Sequence, residues 1–282
     1  MQLTIFTPTY NRAYILETLF QSLLKQTVRD FEWLIIDDGS IDNTAELVAK
    51  FIGEADFPIQ YIKQENQGKH IAINVAASNS NADYILTIDS DDYLSPNCVG
   101  ICKELVLEIA EDNKFAGFTF ILATEKVNLD CGTYGHQRWL QGQTCDWGFQ
   151  GEMNFVLQTR VMREFPFPSF HGENFCQESV LLNRILQRYK ILFTDHVLAF
   201  GEYLEDGLSQ NLYQRLLDNP NYSMLSLKTK LAMVKTDEEK MQLTKSYWDI
   251  ALKTNQSKIK SFLDFPLLLN LLYFKYRILQ KF

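Results

Sequence analysis

The chain has 282 residues, 46% apolar and 22% charged, a balance that buries a sizeable core and excludes a disordered segment. A net charge of −8 argues against a protein that coats nucleic acid. The charge is uneven: residues 1–222 carry 16 Lys or Arg against 30 Asp or Glu, and residues 223–282 carry 11 against 5, so the body is acidic and the tail basic.

Over the first hundred residues, apolar runs at Leu3–Thr7, Glu32–Asp37, Ile59–Lys63 and Tyr84–Asp89 alternate with segments of helical period. That alternation predicts a parallel sheet built from βαβ units. Ile15, Leu16, Leu19, Phe20, Leu23 and Leu24 recur at helical spacing behind Asn11, a good cap residue. Ala45, Val48, Ala49 and Ile52 form the second helical face, and Ile71, Ala72, Val75 and Ala76 the third, after Gly68. Residues 113–175, with glycines spaced among aromatics, read as short strands and loops covering the sheet edge. A helix is expected over Glu178–Gln187, a strand over Ile191–Phe193, and mostly helix beyond Asn211. Leu3 to Phe6 directly after Met1 reads as a strand and not as a secretory leader. The five cysteines (Cys98, Cys102, Cys131, Cys145, Cys176) contain no CxxC pair, so neither a disulfide framework nor a zinc knuckle is expected, and a reducing cytoplasm is the natural compartment.

Ligands of open α/β sheets bind outside the carboxyl ends of the strands, and three such ends are polar here. Phe6-Thr7-Pro8-Thr9-Tyr10-Asn11-Arg12 offers an aromatic face, hydroxyls and a cation. Asp37-Asp38-Gly39-Ser40 offers carboxylates that can accept from an imide N–H, such as a uracil edge presents; a capped Asp-Gly turn explains the same residues. Asp89-Ser90-Asp91-Asp92 sets three carboxylates in four positions, and like charges that close repel unless a cation or a donor-rich ligand compensates them. All-oxygen ligands suit Mg²⁺ or Mn²⁺. A solvated acidic turn ahead of the helix near Pro96 is the structural alternative.

The combination and order of these segments, with Asn66-Gln67-Gly68-Lys69 opening a helix between the last two, resembles family 2 of the inverting glycosyltransferases. The resemblance covers residues 1 to 100 and implies a GT-A fold: a Rossmann-like, mostly parallel sheet flanked by helices, here with a helical C-terminal extension. It implies a donor half over residues 1–110, an acceptor and catalytic-base half over 111–211, and a basic extension over 212–282. It also implies a nucleotide-sugar donor, usually a UDP-sugar, held with Mn²⁺ or Mg²⁺. Thr7, Thr9, Tyr10 and Arg12 would line the nucleotide pocket, Asp38 would meet the base, and Lys69 would reach nucleotide or phosphate. Asp89 and Asp91 match the DxD motif, with Asp91 the stronger metal ligand and Asp89 or Ser90 nearer the ribose. The family's base is typically the Asp of a Glu-Asp pair opening a helix; here Gln177-Glu178 stands in that position, a departure from the pattern. Glu178 is therefore assigned as base, with Glu173 as its rival.

Glu202 to Ser209 resembles the segment that closes the family's catalytic core, where Ser209 or the Gly207 turn would supply donors to the diphosphate; a plain surface loop fits equally. Trp139 and Trp147 suit either sugar stacking or core packing. His70, His136, His171 and His196 are too scattered for a metal set. The longest apolar run, Phe265–Phe274, contains Pro266 and Asn270 and falls short of the ~20 residues of a spanning helix. With Lys258, Lys260, Lys275, Arg277 and Lys281 around it, the tail fits docking on its own core or in a homodimer, or peripheral contact with anionic lipid at the inner face of the cell membrane. The expected activity is transfer from the nucleotide sugar to a glycan or lipid-linked oligosaccharide. The Gln177-Glu178 departure keeps open a catalytically inactive nucleotide-binding or scaffold protein.

Overall fold

In this computed structural model residues 3–124, 138–140, 152–201 and 211–279 are described. Strands β1 (Leu3–Thr9), β2 (Glu32–Asp37), β3 (Ile59–Lys63) and β4 (Tyr84–Thr87) are parallel in the spatial order β3-β2-β1-β4, as the βαβ pattern requires. β1 runs two residues past its expected end and β4 stops two short.

The second half of the sheet corrects the sequence reading. β6 (Phe115–Ala123) and β8 (Glu152–Gln158) do not cover an edge; β8 pairs antiparallel with β4, and β6 with β8, in the middle of the sheet. The apolar run Phe118–Leu122 is buried throughout, and a strand buried on both faces shows no alternation that marks it in sequence. β9 (Lys190–Gly201), far longer than the three residues expected, runs parallel to β6 and pairs antiparallel with β5 (Asp92–Leu94) and β7 (Arg138–Leu140). The sheet is therefore mixed: β1 to β4, β6 and β9 run in one direction and β5, β7 and β8 in the other.

Period-two alternation divides the core. Leu3, Ile5, Trp33 and Ile35 face α1 (Ala13–Leu24), α2 (Thr44–Glu54) and α4 (Cys98–Ile109); Phe6, Leu34 and Ile36 face α3 (Lys69–Asn79), α5 (Thr159–Glu164) and α6 (Ser179–Leu186). Beyond them lie α7 (Leu212–Asp218), α8 (Pro220–Leu231), α9 (Asp237–Lys253), α10 (Lys258–Leu263) and α11 (Leu267–Leu279). A capping box of Thr236 and Glu239 starts α9. Trp248, Tyr247 and Phe265 centre a separate helical cluster, in which the Trp248 indole N–H donates to Asn270 Oδ1 at 2.8 Å. Among the described residues no helix is long and apolar enough to cross a membrane.

Candidate active site

The carboxyl ends of β1, β2 and β4 open into a cleft of about 700 Å³ whose walls include Thr9, Tyr10, Arg12, Asp38, Lys69, Asp89, Ser90, Asp91 and Glu178. The fold thus brings together nearly every residue singled out in sequence. Two do not reach it. Thr7 is fully buried and accepts from the Trp33 indole at 2.9 Å. Glu173 turns away to α8, whose first turn it caps, accepting from the Asn221 and Tyr222 backbone N–H groups at 3.0 and 3.1 Å and from Asn221 Nδ2 at 2.6 Å. Of the two rival carboxylates, Glu178 is the one that faces the cleft.

The loop after β1 is positioned by the loop after β2. Asn11 does not cap α1: it adopts a left-handed conformation (φ 53°), its Oδ1 accepts from Ile41 N at 2.8 Å, and its N–H donates to Ser40 Oγ at 2.8 Å. The residue preceding α1 is Arg12, on the cleft wall. Asp37 is internal, accepting from Ser40 N at 2.7 Å and from the Tyr61 hydroxyl. Asp38 organises the next loop: Oδ1 accepts from Gln64 Nε2 and Gln67 N at 2.7 and 2.9 Å, and Oδ2 from Gly68 N at 2.7 Å. One lone pair of Oδ2 is left over from these three bonds.

Gly68 joins that loop to the base. Its φ of +91° is a conformation that L side chains rarely adopt, and a Cβ there would stand 1.9 Å from the Asn174 carbonyl oxygen. The backbone at Asn174 therefore lies directly on the start of α3, and the side chain of Glu178, at the start of α6, reaches Lys69. The Lys69 ammonium sits 2.5 Å from Asp89 Oδ1 and 2.5 Å from Glu178 Oε1. Burial pulls its pKa down, but the two carboxylates more than offset this and hold it above the ordinary lysine value.

The oxygens of Asp89, Asp91 and Asp92 lie within 4.8 Å of one another. Burial, then the neighbouring carboxylates, pushes Asp91 upward and Asp92 up to about 8. Asp92 lies against Gly201, where a Cβ would fall 1.9 Å from its Oδ1. A compact all-oxygen donor set whose mutual repulsion is only partly relieved fits a hard divalent cation. Gln177, where the resemblance leads one to expect an acid, accepts from Ser226 Oγ of α8 at 2.8 Å, a contact a neutral amide can make. Cys176 also lines the cleft, where burial, with Glu173 and Glu178 adding to it, pushes its thiol up to about 12 and favours the protonated form.

Sequence reasoning missed Arg215 and read His70 only as one of four scattered histidines. His70 is 1% exposed, its two ring nitrogens have no hydrogen-bond partner, and it stands edge-on to Tyr222 at 4.3 Å and Phe167 at 5.7 Å. Arg215 of α7 reaches the cleft wall over the Phe175 ring, from a part of the chain with no readable motif. Ser209, Gly207, Trp147 and His136 lie outside the described residues, as does the side chain of Trp139.

A βαβ half-sheet with an acidic cluster at its carboxyl edge, faced by a carboxylate at a helix start, is the arrangement of the GT-A glycosyltransferases. Solved structures agree in fold: S. aureus TarS 1–349 in complex with UDP-GlcNAc superposes with a TM-score of 0.62 at 16% identity, covering 93% of this chain and 75% of that one. A mannosyltransferase from Pyrobaculum calidifontis in complex with GDP-Man and Mn²⁺ gives 0.57 at 14% identity, covering 99% and 80%. Residues 4–144, half of the chain, match the model for glycosyl transferase family 2, and the chain belongs to that family. An uncharacterized glycosyltransferase of Mycoplasma pneumoniae is 33% identical over 138 residues, 48% of this chain and 46% of its own. The chondroitin synthase of Pasteurella multocida is 39% identical over 105 residues, 37% of this chain and 11% of its own. The chain thus spans less than half the length of these two relatives.

Proposed function

We propose that the protein transfers a sugar, with inversion, from a nucleotide-sugar donor, a UDP-sugar first, to a hydroxyl of a glycan or lipid-linked oligosaccharide in the cytoplasm. The observation that supports this reading is the pairing of both Glu178 and Asp89 with the Lys69 ammonium, so that the candidate base and the acidic cluster share one cation in the cleft. Glu178 would accept the proton of the acceptor hydroxyl as its oxygen forms a bond to the anomeric carbon. The bond from that carbon to the diphosphate breaks, and its electron pair leaves with the nucleotide. Asp91 and Asp89 would hold Mn²⁺ or Mg²⁺, which when bound offsets charge on the departing diphosphate. Arg12 and Lys69 add cations on the same wall, Tyr10, 46% exposed, offers a ring for the base to stack on, and Asp38 retains one acceptor site for it.

The test is release of UDP or GDP from a panel of nucleotide sugars with Mn²⁺, with Mg²⁺ and with chelator. Release from one UDP-sugar, lost with chelator and in Asp91→Asn, is the expected result. Silence across the panel together with no nucleotide-dependent rise in melting temperature overturns the reading; silence with such a rise, persisting when glycan acceptors are supplied, identifies a binder without catalysis.

A further inference from the structure

The C-terminal helices carry an apolar surface that the transferase reading does not use. One side of α11 is internal: Asn270 is buried, bonded to Trp248 and to the carbonyl oxygens of Phe262 and Phe265, and Tyr273 is buried beside it. The other side repeats at helical spacing and is apolar: Leu267, Leu268, Leu271, Leu272 and Ile278 are 44 to 69% exposed. Ile259 and Leu263, one turn apart on α10, are each 77% exposed. Among the described residues these apolar side chains are exposed along consecutive helices, and recurring ones on one helix face mark an interaction surface where isolated ones would be unremarkable.

The charge around the stripe selects the occupant. The exposed charged side chains of the described parts of α10 and α11 are Lys258, Lys260, Lys275 and Arg277 against Asp264 alone, while residues 1–222 carry an excess of 14 acidic groups. A second copy of the same face would bring the cations against each other, whereas an anionic surface attracts these helices and repels the acidic body. At 13 residues and about 20 Å, α11 is too short to span a bilayer and suits lying along its interface. We infer that α10 and α11 form a peripheral docking surface for anionic lipid, leucines inserted below the headgroups and lysines among them, leaving the acidic body facing away.

The test is co-sedimentation of the full chain with vesicles of phosphatidylcholine alone or with about 30% phosphatidylglycerol, at low and high salt. Partition onto the anionic vesicles should exceed that onto neutral ones at least about tenfold at low salt and collapse at high salt. Leu263→Ser with Leu268→Ser and Leu271→Ser should lower it about tenfold with an unchanged melting temperature, and Lys258→Glu with Lys260→Glu and Lys275→Glu should remove the salt dependence. Equal partition of the wild-type chain onto both vesicles, or anionic binding untouched by the serine substitutions, overturns the proposal; so does a dimer in light scattering that those substitutions dissociate while no vesicle is bound. If the serine variant does not fold, the wild-type comparison alone decides. No nucleotide sugar enters the assay, so its failure leaves the transferase reading standing, and the reverse.

Discussion

Glu178 and Glu173 are five residues apart, carry the same chemistry, and are sorted by what holds them. Glu178 points at Lys69 in the cleft, while both oxygens of Glu173 are spent on the first turn of α8. Glu178→Gln keeps an amide oxygen for the ammonium but removes proton acceptance and one of the two negative charges paired with Lys69. Turnover should therefore fall by about 10²- to 10⁴-fold, the usual worth of a general base, while the UDP-dependent rise in melting temperature persists. Glu173→Gln should do the opposite: turnover within about twofold of wild type, but a stability loss of about 1 kcal/mol from the weakened cap, read by denaturant unfolding. Near-normal turnover in Glu178→Gln removes it as base. The same sorting applies at Asp37 and Asp38, adjacent in sequence, one folded into its own loop and the other lining the cleft.

At the scale of elements, the start of α3 is where the donor side meets the base side. Gly68 combines a positive φ with the Asn174 carbonyl group where its Cβ would go, so Gly68→Ala cannot be relieved by moving a side chain alone and must shift the backbone at Asn174. We expect a loss of about 2 kcal/mol or more in stability, and a fall in turnover that exceeds the fall in nucleotide affinity, because Glu178 moves with that segment. Equal losses in both would place the damage in the nucleotide loop alone. This joint also divides what was legible in sequence from what was not. The strands β1 to β4, the helices between them, and the acidic turn at Asp89 and Asp91 were readable because each is fixed by local period or by residues a few positions apart. The staple from Asn11 to Ile41, the bond from Asn174 to Asn66 and the cap from Glu173 to Tyr222 bind segments 30 to 108 residues apart, and no local pattern encodes them. β6 and β8 were misplaced for a related reason: a strand buried on both faces and a strand at an edge differ in their neighbours more than in their spelling.

Over the whole molecule, α8 ties the sheet domain to the C-terminal helices: Tyr222 belongs to the core under α3, and Met224, two residues on, to the cluster around Trp248. His70 sits in that seam against Tyr222, and burial pushes its pKa down to about 4. Its folded value lies below the roughly 6.5 of an unfolded chain, so on acidification the unfolded state binds the proton first. The stability that depends on a neutral His70 is fully present above pH 6.5 and drains as the pH falls toward 4. With some solvent screening it amounts to about 2 kcal/mol. Asp92, pushed up to about 8, works in the opposite sense, its burial costing more as the pH rises from about 4 toward 8. The two must be separated by substitution and not read from one melting curve. His70→Phe keeps an aromatic ring against Tyr222 and Phe167 and removes two buried nitrogens that lack partners, so it should be at least as stable as wild type at pH 7. The difference in unfolding free energy between variant and wild type, measured in denaturant, should widen by about 2 kcal/mol between pH 7 and pH 4.5, with Asp92 common to both proteins. A difference that stays constant across that range would show that the ring is protonated in the folded seam as readily as in water, and that the junction between the two parts is open to solvent.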